Sequence, residues 1–270
     1  MSFDSYSGAL PLTVVHSDRG MVLQRIVGLK HIDEGLVLLM DDDIIVAPET
    51  PTRLLTPIVK RTCEVSVPES PRQSTVRYVV LALTGNAFPH WLQSWAYVMG
   101  GGYRYYYRSL VDGQAVPTEC GQGAIIAVDS HSLKRCNFKR TMVYDSFRYA
   151  LREDSAFLIE AVNAGLRVSM IGGCVYEHLG VDHTRTPERQ YWSGHAEAFN
   201  NWYFWFNNIL PRYKMVFTRA FCLVFFIHRL IGGGVLAALA CCKNRSLNRL
   251  RGYVAGTWAI FHARHGQNEK

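Results

Sequence analysis

The stretch "GLVLLMDDDIIVAPET", Gly35–Thr50, decides how the rest of the chain is read. Gly35–Met40 is a continuous apolar run, the mark of a strand covered on both faces. It ends in three carboxylates, Asp41, Asp42 and Asp43. In open α/β sheets, ligands gather at the carboxyl ends of strands. Adjacent carboxylates repel and raise one another's pKa, so a positive group is expected among them. A hard divalent cation, Mg²⁺ or Mn²⁺, fits: it prefers oxygen ligands and commonly takes one or two carboxylates plus substrate phosphates. Side chains alternate along a strand, so Asp41 and Asp43 can share a site while Asp42 points elsewhere. Standing alone, the triplet is equally a solvated acidic turn.

Outward from this stretch, strands and helices alternate. On the N-terminal side, Leu12–Val15 has a β-like run, and Val22, Ile26, Leu29 and Ile32 share one face of a predicted helix. On the other side, "CEVSVP", "RYVVLAL", "AIIAV" and "RVSMIGGCVYEH" read as further strands. "EDSAFLIEAVNAGLRV" carries the strongest helical pattern, with a stop at Asn163-Ala164-Gly165. "HWLQSWAYVM", with Trp91 and Trp95 four residues apart, reads as a packed helix. "YRYYYR", Tyr103–Arg108, reads as a packed, partly exposed surface. The order of elements predicts an α/β domain over 1–185 with a mixed, mainly parallel sheet flanked by helices, and a second, helical region over 186–270.

The succession "HSDRG", "QRIVGLKH", "LVLLMDDDI", "GQGAIIAVDSHSL", "REDSAFLIEAVNAGLRV" and "VYEH" resembles family 2 glycosyltransferases, which have the GT-A (Rossmann-like) fold. The likeness spans roughly Leu12 to His178. It implies transfer of a sugar, with inversion, from a nucleotide diphosphate such as a UDP- or dTDP-sugar to a glycan or lipid-linked acceptor. It gives Asp41 and Asp43 as the ends of a DxD motif, with Asp41 and Asp42 toward the nucleotide sugar and Asp43 on the metal. It gives Asp154 as the general base, with Glu153 beside it. It sets His178 on the metal or diphosphate, and Arg19 and Gln24 near the nucleotide. Gly121 and Gly123 of "GQG" fall on the acceptor side in this scheme, although glycines before a strand more often serve a turn. Ile26 stands where the family usually has Asn. The family also opens with a strand, loop and helix that are expected to be missing here, since the likeness starts at its second strand. Two rival readings follow. One is an inactive or incomplete relative acting as a binding or assembly partner. The other is a different metal-dependent phosphoryl or nucleotidyl transferase.

Residue totals set the outer limits. With 49% hydrophobic and 19% charged residues in 270, the chain can bury a sizeable core and is not of disordered composition. From Arg212 onward it carries ten Lys and Arg against Glu269 alone, while the whole chain carries +7; the preceding part is therefore slightly acidic. A basic end suits a polyanion, and an anionic membrane face fits better than nucleic acid here because the same region is apolar. Seven cysteines without a CxxC spacing read as reduced and structural, and "MSFDSYSGAL" lacks the pattern of a signal peptide. "AFCLVFFI" and "LIGGGVLAALACC" are apolar but separated by His228 and Arg229, and an arginine at a spanning helix's centre costs roughly 2.5–3.5 kcal/mol. Basic residues flank both ends. An in-plane or re-entrant pair of helices at the cytosolic face of a membrane is the expectation, ahead of a single spanning segment and of a soluble helical subdomain or dimer contact, with 253–262 as another interfacial segment.

Overall fold

The computed structural model describes residues 13–18, 20–69, 75–85, 110–121, 123–138, 141–149, 151–179, 186–244 and 246–266. Arg19, Leu12, the Trp91–Trp95 segment and Tyr103–Arg108 lie outside the described residues.

Among the described residues the elements run α1 (Met21–Lys30), β1 (Leu36–Met40), β2 (Ile44–Val46), α2 (Thr50–Val59), β3 (Val65–Pro68), α3 (Thr75–Leu83), β4 (Ala115–Pro117), β5 (Ile125–Asp129), α4 (Ser130–Leu133), α5 (Glu153–Asn163), β6 (Val168–Ile171), β7 (Tyr176–His178), α6 (Pro187–Phe204), α7 (Val216–Asn244) and α8 (Asn248–Gly266). Five strands form one sheet in the order β1-β5-β3-β6-β4, and β2 pairs with β7 in a second, two-stranded sheet. The fold is thus α/β with a mixed sheet.

It is not mainly parallel. Among the described residues only β3 and β6 run parallel; β1–β5, β3–β5 and β4–β6 are antiparallel. The reason is physical. A continuous apolar run reports burial on both faces, which helices provide whatever the strand direction. Strand β5 shows this. Ile125 and Ala127 pack with Leu54 and Ile58 of α2, while Ile126 and Val128 pack with Phe157 and Leu158 of α5, and all four strand residues are fully buried.

Three other expectations change. Residues 13–15 are exposed and form no strand. "RYVVLAL" is the body of helix α3, because a short apolar run rich in valine fits either period and tertiary contacts decide. "RVSMIGGCVYEH" is two strands, β6 and β7, parted by a turn at Gly172-Gly173 in which Gly173 takes a left-handed φ of 74°. Helix α5 forms as expected, and Gly165, at φ 78°, ends it in the left-handed conformation that glycine adopts without strain.

The apolar C-terminal stretch is one continuous helix, not a pair broken at His228-Arg229. Residues Val216–Cys242 of α7 are long and apolar enough to cross a membrane, with mean hydropathy 2.0. Its glycines are packing notches. A side chain at Gly232 would strike the backbone of Thr84 at the end of α3, and one at Gly233 would strike Tyr253 of α8. Two stripes divide α7. Cys222, Phe226, Arg229, Ala237 and Cys241 are buried, whereas Phe217, Phe221, Val224, Ile231, Val235 and Leu239 are exposed. The buried stripe joins the sheet's own core: Phe226 stacks on Trp205 at 4.5 Å, and both belong to one cluster with Val65, Ile126 and Leu158. Helices α6 and α8 lie close enough that a side chain at Gly252 would collide with the Tyr191 carbonyl. The core therefore runs across position 185 without a break.

Candidate active site

Site residues converge at one rim of the sheet. Strand β1 delivers Asp41 there, and its N–H donates to the Ala124 carbonyl at 2.9 Å, just before β5. The chain turns through exposed Asp42 and enters β2. Pairing of β2 with β7 sets Ile44 opposite His178, and Leu179 N–H donates to the Asp43 carbonyl at 2.7 Å. Backbone pairing thus brings the Asp43 carboxylate to the His178 imidazole, Oδ1 to Nδ1 3.5 Å, with 40% and 47% of the side chains exposed.

Asp154 reaches the same rim from the first turn of α5. Its Oδ2 accepts the Gly123 N–H at 3.2 Å, and its Oδ1 accepts Ser155 N–H at 2.6 Å. Glycine is required at 123, because a Cβ there would lie 2.6 Å from the Asp154 Cβ. At Gly121 the neighbour is the Val67 side chain, so that glycine serves core packing. The Gly123 carbonyl accepts from Arg25 Nη2 at 3.3 Å, and the same nitrogen reaches Asp41 Oδ1 at 3.0 Å. One glycine thereby ties Asp154 to Arg25 and, through it, to Asp41.

Burial pushes the Asp41 carboxyl above its ordinary value, the adjacent Arg25 pulls it back, and Asp43 pushes it up again. Asp41 is therefore close enough to Asp43 and His178 to feel both. Among the described residues, no three His, Cys, Asp or Glu side chains gather into a group that could hold a metal alone. Asp43 and His178 offer one oxygen and one nitrogen to an approaching ion. Two such donors would leave most positions around a divalent ion to ligands from outside the protein.

The remaining candidates are dispersed. Gln24 lines an open cleft of about 1140 Å³ with Gly20, Asp145 and Trp192, and a smaller hollow with His16 and Ser17. Glu153 borders two hollows, one with Asp154 and one beside Arg25 and Phe157. Two residues with evident roles escape a reading of the sequence. Arg25 looks like an ordinary helix cation, yet its side chain is 14% exposed and binds Asp41. Asp145 lies far along the chain but accepts the N–H groups of Val22 and Leu23 at 3.0 and 2.8 Å, capping α1 across 3-D space. Its signal was a lone acid in an aromatic segment, "VYDSFRY".

Behind Asp154 opens a cleft of about 1000 Å³ between α3, the start of α5, α6, α7 and α8. Arg152 begins α5 in a left-handed conformation, φ 82°, and its Nε donates to Asn201 Oδ1 at 2.5 Å. Arg229 Nη2 reaches the same oxygen at 3.0 Å. No protein-family model matches this chain, and no curated protein matches it in sequence.

Proposed function

We propose that the chain is an inverting glycosyltransferase of GT-A type, moving a sugar from a UDP- or dTDP-sugar to a hydroxyl acceptor at the cytosolic face of a membrane. The observation that carries this reading is the Gly123 link, which joins the carboxylate of Asp154 to Arg25 and Asp41 at the rim where Asp43 meets His178. Five separated stretches supply one acid suited to take a proton and one acid–imidazole pair suited to hold a cation.

In this account the acceptor oxygen attacks the anomeric carbon while the bond from that carbon to the diphosphate oxygen breaks. Asp154 accepts the hydroxyl proton, a role that needs direct hydrogen-bond reach. Asp43 and His178 would hold Mg²⁺ or Mn²⁺, which when bound stabilises the charge gathering on the departing diphosphate. Arg25 fixes the Asp41 carboxylate facing the donor. The β2–β7 pairing supports the reading by bringing His178, at the end of β7, beside Asp43, just past the end of β1.

Membrane attachment is proposed through the exposed stripe of α7. Its opposite stripe is committed to the protein core, so the helix would lie along the surface and not cross it. The test is a transfer assay with nucleotide sugars paired with donor binding: Asp154→Asn is expected to bind donor as the parent does and to transfer sugar about a thousandfold more slowly. Undiminished transfer by that variant would remove the general-base assignment.

A further inference from the structure

The five-stranded sheet has two edges, and they are built differently. At the far edge, β4 is three residues long. Thr118 N–H donates to the Val168 carbonyl, and Gly172 N–H to the Gln114 carbonyl. Bonded residues alternate along an antiparallel pair, so Ala115 and Pro117 turn their backbone away from β6. Proline has no N–H to offer a further strand, so that edge is short and blunted.

The near edge, β1, carries no such guard. Asp41 N–H donates to the Ala124 carbonyl and Ser130 N–H to the Gly35 carbonyl, so Val37 and Leu39, between them, face β5. Leu36, Leu38 and Met40 therefore turn their backbone N–H and C=O groups outward, and among the described residues no strand takes them up. The strand has no proline, glycine or charge, and its register is unbroken. One of its faces is also thinly covered. Val37 and Leu39 pack into the core beneath α5, and Leu38 packs at the margin of the cluster beneath α2. Leu36 and Met40, on the same face as Leu38, are 44% and 47% exposed. An apolar edge of this kind is a template for another strand.

Charge narrows what can pair there. Acids bracket the strand, Asp33 and Glu34 before it and Asp41, Asp42 and Asp43 after it. Arg25 binds Asp41, His178 lies beside Asp43, and Lys134 donates to the Asp33 carbonyl. Glu34 and Asp42 are exposed at the two ends. A second copy paired antiparallel about Leu38 would set Glu34 opposite Asp42 at both ends, and like charges directly opposed are destabilising. A strand with cations at its ends is matched instead.

We propose that the edge of β1 pairs with an extended strand of a different polypeptide, apolar and β-branched along its middle and carrying Lys or Arg at both ends. Its backbone takes up the outward groups of Leu36, Leu38 and Met40. Its alternate side chains cover Leu36 and Met40, and its end cations meet Glu34 and Asp42. The pairing does not rest on the sugar-transfer reading.

Hydrogen exchange resolved at single amides, on the full chain in neutral detergent, tests it first without a partner. The amides of Leu36, Leu38 and Met40 are expected to exchange at least about tenfold faster than those of Val37 and Leu39. Equal protection in the chain alone would mean that a second copy or another segment of this chain already fills the edge, and would overturn the proposal. The probe is then the peptide Lys-Lys-Thr-Val-Ile-Val-Thr-Lys-Lys. Its controls are the same core flanked by glutamates and a version with proline for the first valine and the isoleucine. At about ten times its Kd, the lysine-flanked peptide should slow the three outward amides about tenfold. Both controls should bind at least about tenfold more weakly by fluorescence anisotropy. Met40→Pro removes an outward N–H and no bond to β5, and Leu36→Lys sets a cation against those of the peptide. Each is expected to lose about tenfold in peptide affinity at an unchanged melting temperature. The proposal falls if the glutamate-flanked peptide binds as well, if protection appears away from β1, or if both variants bind the peptide as the parent does.

Discussion

Gly123 and Gly252 are glycines for the same steric reason and opposite purposes. At Gly123 the intruding group is a carboxylate, Asp154, whose oxygen the glycine N–H then binds. At Gly252 it is the backbone of a neighbouring helix, at Tyr191. The rim of the sheet uses close approach to fix an acid. The C-terminal helices use it to interlock, which buries one stripe of α7 and leaves the other apolar and bare. Position is the product in the first region, and surface in the second.

Substitutions should separate these two purposes. The largest effect belongs to the rim: Asp154→Asn should lower transfer about a thousandfold, within the range for loss of a general base. Asn keeps an oxygen for the Gly123 N–H, so the melting temperature should stay put in differential scanning fluorimetry. Next comes the pair of glycines. Gly123→Ala should displace the acid and cost about a hundredfold in kcat, since a misplacement of roughly 1 Å has that effect. Gly252→Ala should instead cost about 1–3 kcal/mol of stability, read by urea denaturation, while leaving turnover per folded molecule intact. If the two variants behaved alike, the contrast between the regions would be wrong.

A smaller effect concerns the bare stripe. Phe221→Ser with Val224→Ser should move the protein from pelleted vesicles to the supernatant without lowering its melting temperature, because both side chains are exposed. A fall in melting temperature would mean that the stripe is packed against protein.

The smallest is a pH effect at the opposite end of β3. There Arg167 hydrogen-bonds Glu64 and holds its carboxyl below the ordinary range, at Nη2 to Oε1 2.5 Å. A depressed folded value means the stabilisation is present above the unfolded pKa and is lost as pH falls through the folded one. Arg167 is well exposed, so Glu64→Gln should flatten the acid limb of stability only slightly, as solvent screens a surface pair. Asp41 works with the reverse sign. Burial raises its carboxyl, so its contribution is present at low pH and lost as pH rises through the folded value. Denaturation between about pH 3 and pH 7 should therefore show the two ends of the sheet bending the curve in opposite directions.

How much of this the residues announce in advance depends on what a pattern encodes. The apolar runs of β1 and β5 encode burial on two faces, and both strands are present. Direction is not encoded, which is why the pattern predicts a mixed, mainly parallel sheet and the mixed sheet found is mainly antiparallel. α5 carried its own start and its glycine stop, so its limits were legible. "RYVVLAL" carries a β-branched composition whose helical state depends on contacts such as Thr84 against Gly232 of α7, which lies far along the chain. Gly232–Gly234 look like helix breakers until the partners that need them are in view. Asp41, Asp43, Asp154 and His178 stood out as acids and a histidine at strand and helix ends. Arg25 did not, because its only distinguishing feature is the carboxylate across from it.

The central claim is that the rim grips a cation and a nucleotide diphosphate together. It is tested most directly by the melting temperature of the full chain with UDP, dTDP or GDP, in the presence and absence of Mn²⁺. One nucleotide, only with the ion, should stabilise the folded protein by about 2.7 kcal/mol at a hundred times its Kd, and Asp43→Ala should abolish that gain. No shift with any of the three nucleotides, in a chain that melts cooperatively, would contradict it.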